Sequence, residues 1–264
     1  MADADALRDV GASGRPSNEP QAPSPSPVTP AEDPGVMTLV DHLSELRWRL
    51  FKSLLAVAVA GSVGFLVSDQ AVAVLAEPIP GDEPLFFTGL GDAFAIRLKI
   101  AFVIGVILAM PVLLYQGWAF IAPGLTAQER RAARPWIPLA LFFFSLGVSI
   151  AYIVLPFAAS FLLGFTTPDL QPLITAGSYF EFVTTMFLAF GLVMEFPIVL
   201  YGLSRVGIAT SARLAASRRY VILAIAIFAA VVTPGGDLIS PLTLGITMFI
   251  LFELTVFVIK RTGK

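Results

Sequence analysis

The sequence predicts an all-α integral membrane protein of six transmembrane helices, with both termini on the cytoplasmic side (N-in/C-in), and three observations lead there. The chain is 56% hydrophobic and only 14% charged, with a mean hydropathy of +0.82, whereas soluble domains carry about 25% charged residues. Beyond residue 36, six apolar runs approach or exceed the roughly 20 residues that cross a bilayer at about 1.5 Å rise each. Lys and Arg gather at alternate ends of those runs.

Residues 1–36 stand apart. They are rich in Ala, Pro, Ser, Asp and Glu, include the low-complexity run Pro20-Gln-Ala-Pro-Ser-Pro-Ser-Pro, and show no apolar periodicity. Such a segment cannot bury enough apolar surface to offset its ordering entropy, so a disordered cytoplasmic tail is expected. It lacks the basic stretch and apolar core of a cleavable signal peptide. Residues 37–264 then form the membrane domain, with spans expected at about 47–68, 96–119, 135–158, 178–204, 216–233 and 240–259. The fifth and sixth are the shortest, and only the turn Thr233-Pro-Gly-Gly-Asp237 separates them. Two short neighbouring helices of this kind suit a locally thinned bilayer.

Direction follows from the cations. Arg47, Arg49 and Lys52, then Arg130, Arg131 and Arg134, then Arg205, Arg213, Arg218 and Arg219, and finally Lys260, Arg261 and Lys264 fall on one side. The opposite loops, 69–95, 159–177 and 234–239, contain neither Lys nor Arg but hold Asp69, Glu77, Asp82, Glu83, Asp92, Asp169 and Asp237. The basic side is cytoplasmic by the positive-inside rule. Arg97 and Lys99, at the outer start of the second span, run against it. They are expected to snorkel outward or to pair with an outer acid such as Asp92.

Within the spans, Gly105, Gly147 and Gly191 mark expected close approaches between helices. Polar exceptions carry more information. Glu195 lies mid-span in Phe190-Gly-Leu-Val-Met-Glu195-Phe-Pro197. A carboxyl at that depth costs about 2.5–3.5 kcal/mol on insertion scales, so it should face protein or a water-filled cavity. Either it is a protonated acid hydrogen-bonded to a neighbouring helix, or it takes part in binding or translocation. Pro197 leaves the carbonyl of Val193 without its helical donor and permits a kink beside it. Glu253 sits nearer the cytoplasmic end, where snorkelling is feasible, and Glu181 reads as an interfacial outer acid.

On the cytoplasmic face beyond the tail, acids are scarce: Asp41, Glu45 and Glu129. Glu45 and Arg49 are spaced i,i+4 and can pair on one helix face, the ordinary interfacial reading. Glu129, in Gln128-Glu129-Arg130-Arg131, reads either as a loop acid balanced by its neighbours or as half of a docking site for paired guanidiniums. A planar guanidinium fork matches a carboxylate as an ammonium does not.

Several motifs in order then resemble one known family. His42-Leu-Ser-Glu-Leu-Arg47 opens the series, followed by Pro111-Val-Leu-Leu-Tyr115-Gln116 and Trp118-Ala-Phe120-Ile-Ala-Pro123-Gly-Leu. Glu129-Arg130-Arg131, Phe190-Gly191 through Glu195-Phe-Pro197, and Thr233-Pro234 with Asp237 complete it. Over residues 38–259 the chain resembles the TatC family, the multi-spanning receptor subunits of the Sec-independent twin-arginine protein translocase. The resemblance implies a concave, cup-like bundle in the bacterial plasma (inner) membrane. It also implies recognition of Arg-Arg signal peptides on folded proteins and, with TatA/TatB-type single-span partners, their export. Glu45 and Glu129 would receive the two arginines, with Arg47 and Phe120 shaping the same cytoplasmic site. Glu195 would face the concave side and meet the signal peptide or a polar group of a single-span partner, while Pro78 and Asp237 match outer-face positions. Self-association is expected, and no nucleic acid, cofactor or metal. One departure is Ser240-Pro241, where the family motif ends in Ser-Gln.

The rival reading is a proton-coupled secondary transporter of a small solute with Glu195 as its ion-linked carboxylate, but no two-fold internal repeat accompanies it. An enzyme is disfavoured by a single histidine, no cysteine, no metal-ligand spacing and no Gly-x-Ser-x-Gly motif. No nucleotide-binding motif is present either, so a driving force would come from elsewhere.

Overall fold

The computed structural model describes residues 39–79, 85–133, 135–167, 169, 171–205, 210–233 and 236–261. The expected tail, 1–36, lies outside them. Among the described residues the fold is helical, apart from one isolated parallel bridge between Phe86 and Thr175.

Helix α1 spans Leu39–Leu66, with Asp41 in its first turn, where an acid meets the positive end of the helix dipole. After a one-residue break, α2 (Ser68–Ala76) continues as a short apolar helix. Helix α3 (Asp92–Ile121) runs 30 residues through Pro111 and passes into a 3-10 turn, Ala122–Gly124. Helix α4 (Ala127–Ala133) follows, then α5 (Trp136–Leu163). Helix α6 (Ala176–Val193) starts at Thr175, whose hydroxyl accepts from the Ser178 amide at 3.3 Å. Helices α7 (Phe196–Arg205), α8 (Ser211–Ala216), α9 (Arg218–Val232) and α10 (Ile239–Arg261) complete the order.

Among the described residues, five segments are long and apolar enough to cross a membrane: Asp41–Leu66, Asp92–Gly124, Trp136–Leu163, Ala176–Arg205 and Ile239–Arg261. They correspond to the expected first, second, third, fourth and sixth spans. The expected fifth, 216–233, corresponds to α9, which is shorter than these. Its 15 residues make about 22 Å of helix against a hydrocarbon core of about 30 Å. Within the fourth, α6 and α7 are separated by a two-residue interruption at Met194 and Glu195, next to the Pro197 where the sequence permits a kink.

Helix α6 is the central strut. Phe182, Thr184 and Ala189 carry burial around further faces of it, while Phe180, Val183, Met186 and Phe190 are fully buried along one stripe. They pack among α3, α5 and α10 in one core with Ile100, Leu155, Leu244 and Phe252. Helix α1, by contrast, leans chiefly on α3 and leaves Leu50, Leu54 and Val59 exposed. The three expected glycines are close-approach points. A Cβ on Gly105 would lie 2.7 Å from the Gly61 backbone, one on Gly147 would strike the Phe190 backbone, and one on Gly191 would sit 2.8 Å from the Phe144 ring. Between α9 and α10, Gly236 adopts φ 70°, which costs a residue without Cβ little.

Contacts stitch the two ends of the bundle. At one end, Arg97 pairs with Asp69 at 2.6 Å and Lys99 with Glu181 at 3.1 Å. There too the Tyr179 hydroxyl donates to the Leu75 carbonyl at 2.6 Å. Asp92 is therefore not the partner of these cations. Its Oδ2 instead accepts from Thr88 N (2.9 Å), Thr88 Oγ1 (2.9 Å) and Gly89 N (2.7 Å), closing the turn before α3. At the other end, Trp136 of α5 meets Tyr201 of α7 edge to face, at 4.7 Å between ring centroids. Arg218 at the start of α9 pairs with Glu253 of α10 at 2.8 Å.

Candidate functional site

The cytoplasmic candidates assemble where the beginning of α1 meets the end of α3. His42, Glu45 and Arg49 recur at i, i+3 and i+7, so helix geometry sets them on one face. On α3, Gln116 and Phe120 share a face at i,i+4. The two faces meet twice. The His42 ring stacks on Phe120 with centroids 4.4 Å apart and planes 15° from parallel. Arg49 reaches the side-chain amide oxygen of Gln116 through one Nη at 3.4 Å.

Arg49 also grips Glu45. Its Nε donates to Glu45 Oε1 at 2.9 Å, and its other Nη donates to the same oxygen at 2.5 Å. The side chains retain about a fifth of their exposure, 20% for Glu45 and 22% for Arg49. Glu45 Oε2 is buried and accepts no hydrogen bond among the described residues. This carboxylate is thus half satisfied: one oxygen is clamped and the other is held out of bulk water without a donor. Arg47 is exposed on another face of α1.

Glu129 falls in the short helix α4, with its side chain outside the described residues. The adjoining backbone is anchored, because Arg130 donates to the Ala122 carbonyl through Nε at 3.2 Å and Nη2 at 2.9 Å. Ala122 is two residues beyond Phe120, so α4 is tied back to the end of α3 that carries the aromatic residue. The structure therefore joins Glu45 and Phe120 in one patch and fastens the segment bearing Glu129 to its border.

Glu195 occupies the two-residue interruption between α6 and α7, where its backbone carbonyl accepts from Ile198 and Val199 at 3.0 and 3.1 Å. It is buried at 8% exposure, and its Oε1 has no hydrogen-bond partner among the described residues. A hydrogen bond to a neighbouring helix is accordingly not made by that oxygen. A cavity of about 390 Å3 lies elsewhere, lined almost wholly by apolar groups such as Ala71, Leu75, Ile104 and Phe187, and Glu195 is not among its walls.

The outer-face candidates separate. Pro78 is half-buried in the turn after α2. Asp237 is buried and its Oδ2 accepts from the Ser240 amide at 2.6 Å, satisfying a first-turn donor of α10, while Oδ1 stays unpartnered among the described residues. Pro241 follows inside the first turn of α10, where a missing N–H costs least.

Sequence reasoning missed Gln116 and His42 as parts of the site. The signal was present in the two facing helical periodicities, but which faces meet is a tertiary fact.

The chain matches the family model described as TatC, Sec-independent protein translocase protein, over residues 41–246. The Sec-independent protein translocase protein TatC of Carboxydothermus hydrogenoformans is 36% identical over 226 residues, covering 85% of this chain and 93% of that protein. TatC of Aquifex aeolicus is 36% identical over 234 residues, covering 86% and 97% respectively. A crystal structure of the twin arginine translocase receptor TatC superposes with a TM-score of 0.74 at 35% identity, covering 83% of this chain and 99% of that one. Agreement of sequence and fold over this length, across the segments that carry Glu45, Phe120 and Glu195, establishes that the chain belongs to the TatC family of Sec-independent protein translocase proteins.

Proposed function

We propose that this protein is the receptor subunit of a twin-arginine translocase: it captures Arg-Arg signal peptides of folded proteins at the Glu45–Glu129 face and, with single-span TatA/TatB-type partners, mediates their export. The observation that carries this reading is the half-satisfied Glu45 carboxylate beside Phe120, with an acceptor oxygen that no described residue fills. A guanidinium leaving water needs such an acceptor, or desolvation dominates. Glu129 supplies the second carboxylate, and Arg47, exposed on another face of α1, contributes from the same end of that helix. Family membership displaces the small-solute transporter reading.

The same proposal includes six crossings with both termini in the cytoplasm of a bacterial inner membrane. The α9 segment makes the fifth crossing despite its length, in line with the charge segregation of the loops on either side of it. Glu195 is the polar point within the bilayer that meets the signal peptide or a partner helix, and Pro78 and Asp237 lie on the outer face.

Crosslinking of a twin-arginine precursor to the membrane-inserted protein tests the receptor reading. Glu45→Ala and Glu129→Ala are expected each to lower the crosslink yield roughly tenfold or more, the scale of losing a charge-assisted bond, while membrane insertion persists. Unchanged capture in both variants would overturn the assignment.

A further inference from the structure

The clamp on Glu45 has a chemical consequence for what the site accepts. Two donors of Arg49 converge on one oxygen, Oε1, at 2.9 and 2.5 Å, while the third reaches Gln116 at 3.4 Å. The pair carries no net charge. Arg47 lies exposed on another face of the same helix, and Arg130 is folded onto the Ala122 carbonyl, so neither adds a carboxylate to the pair. The neutralised pair therefore exerts little attraction on charge as such, and its second oxygen, Oε2, lies buried with no donor among the described residues.

Resting on the receptor reading above, we propose that Arg49 is a resident guanidinium that sets the specificity of this site, making Glu45 an acceptor for arginine rather than for any cation. Lysine's ammonium is a compact, strongly hydrated point charge, and only a full negative charge offsets its dehydration. Arginine's guanidinium is more weakly hydrated and directs several N–H donors in one plane, so it docks on one oxygen of a neutralised pair at lower cost. By cancelling the charge of Glu45, Arg49 removes the attraction that ammonium depends on and retains the hydrogen bond that guanidinium uses. Gln116 holds Arg49 from the α3 side, which keeps the clamp tied to the helix carrying Phe120.

Equilibrium binding to the full chain in lipid nanodiscs tests this, with two synthetic signal peptides that differ only in carrying Arg-Arg or Lys-Lys. In Arg49→Gln, affinity for the Lys-Lys peptide is expected to rise roughly fivefold more than affinity for the Arg-Arg peptide, the upper range for a partly exposed ion pair, so that discrimination narrows. Arg49→Lys, which keeps the charge, should retain near wild-type discrimination. Gln116→Ala, which loosens the clamp without touching either charge, should narrow it in the same direction as Arg49→Gln, and gives a second route should that variant fold poorly. An unchanged Arg-to-Lys ratio in Arg49→Gln and Gln116→Ala, or equal weakening of both peptides, would overturn the specificity role. Glu45→Gln separates the two layers. If it binds the Arg-Arg peptide as the wild type does, the receptor assignment at Glu45 fails. If it loses binding while Arg49→Gln keeps the ratio, only the role of Arg49 fails.

Discussion

Two buried carboxylates occupy opposite situations at the scale of single residues. Asp237 holds a first-turn amide of α10 through Oδ2, so Asp237→Ala is expected to lower stability by about 0.5–2 kcal/mol, as loss of a helix-start acceptor does. Thermal unfolding in detergent measures it, and Asp237→Asn should recover most of the loss. Glu195 contributes no such bond through Oε1, which lies buried and unpartnered among the described residues. Replacing it by the similarly sized Met removes a desolvated polar group, so stability should hold or rise by about 1 kcal/mol, while precursor export falls. A large drop in unfolding temperature for Glu195→Met would instead make it a structural residue. Such a contrast was half legible in the sequence: both acids stand out by position and the Asp237 bond reaches only three residues on, but it takes tertiary structure to show that Glu195 Oε1 is buried without a partner among the described residues. Arg97 and Lys99 make the same point. Their nearest outer acid in sequence is Asp92, yet that carboxylate is occupied by Thr88 and Gly89, and their partners come from α2 and α6.

Among the elements, hydropathy located five long helices because lipid imposes a single requirement, a continuous apolar stretch that satisfies its own backbone. It did not find α2, since Ser68-Asp-Gln-Ala-Val-Ala-Val-Leu-Ala76 is nine residues long, opens on three polar side chains and reads as an outer loop. Nor did it fix where the fourth span breaks, though Pro197 gave the region. The α1–α3 seam is the element contact on which the Glu45 patch depends, and Gly105 against Gly61 sets its spacing. Gly105→Val should therefore cost about 1–3 kcal/mol through overpacking and weaken peptide capture by shifting Phe120 relative to Glu45. Gly117→Ala, where an added Cβ meets nothing within 4 Å, should leave both measurements unchanged.

For the whole molecule, the proposed topology is directly measurable because the chain contains no cysteine. Single cysteines replacing exposed Ser44 and Ala212 should react with an impermeant thiol reagent only from the cytoplasmic side, and one replacing Gly89 only from the opposite side. Labelling of positions 212 and 89 from the same side would require an even number of crossings between them and so a different arrangement. Charge segregation in the sequence is what proposes this topology. The unequal roles of the helices were not legible there, because α1 and α6 are both apolar runs although one leans on a single neighbour and the other is packed on most sides.

The bridge between Phe86 and Thr175 bears on the order in which the molecule is made. Phe86 donates to Ile174 at 3.1 Å and accepts from Ala176 at 2.8 Å, joining segments that two long helices, α3 and α5, separate along the chain. In the proposed topology each segment reaches the outer side by its own insertion event, so the clasp cannot close until both have been delivered. It is a completion mark for membrane assembly. In pulse-labelled exchange during insertion, the amides of Phe86 and Ala176 should gain protection after those within α3 and α5.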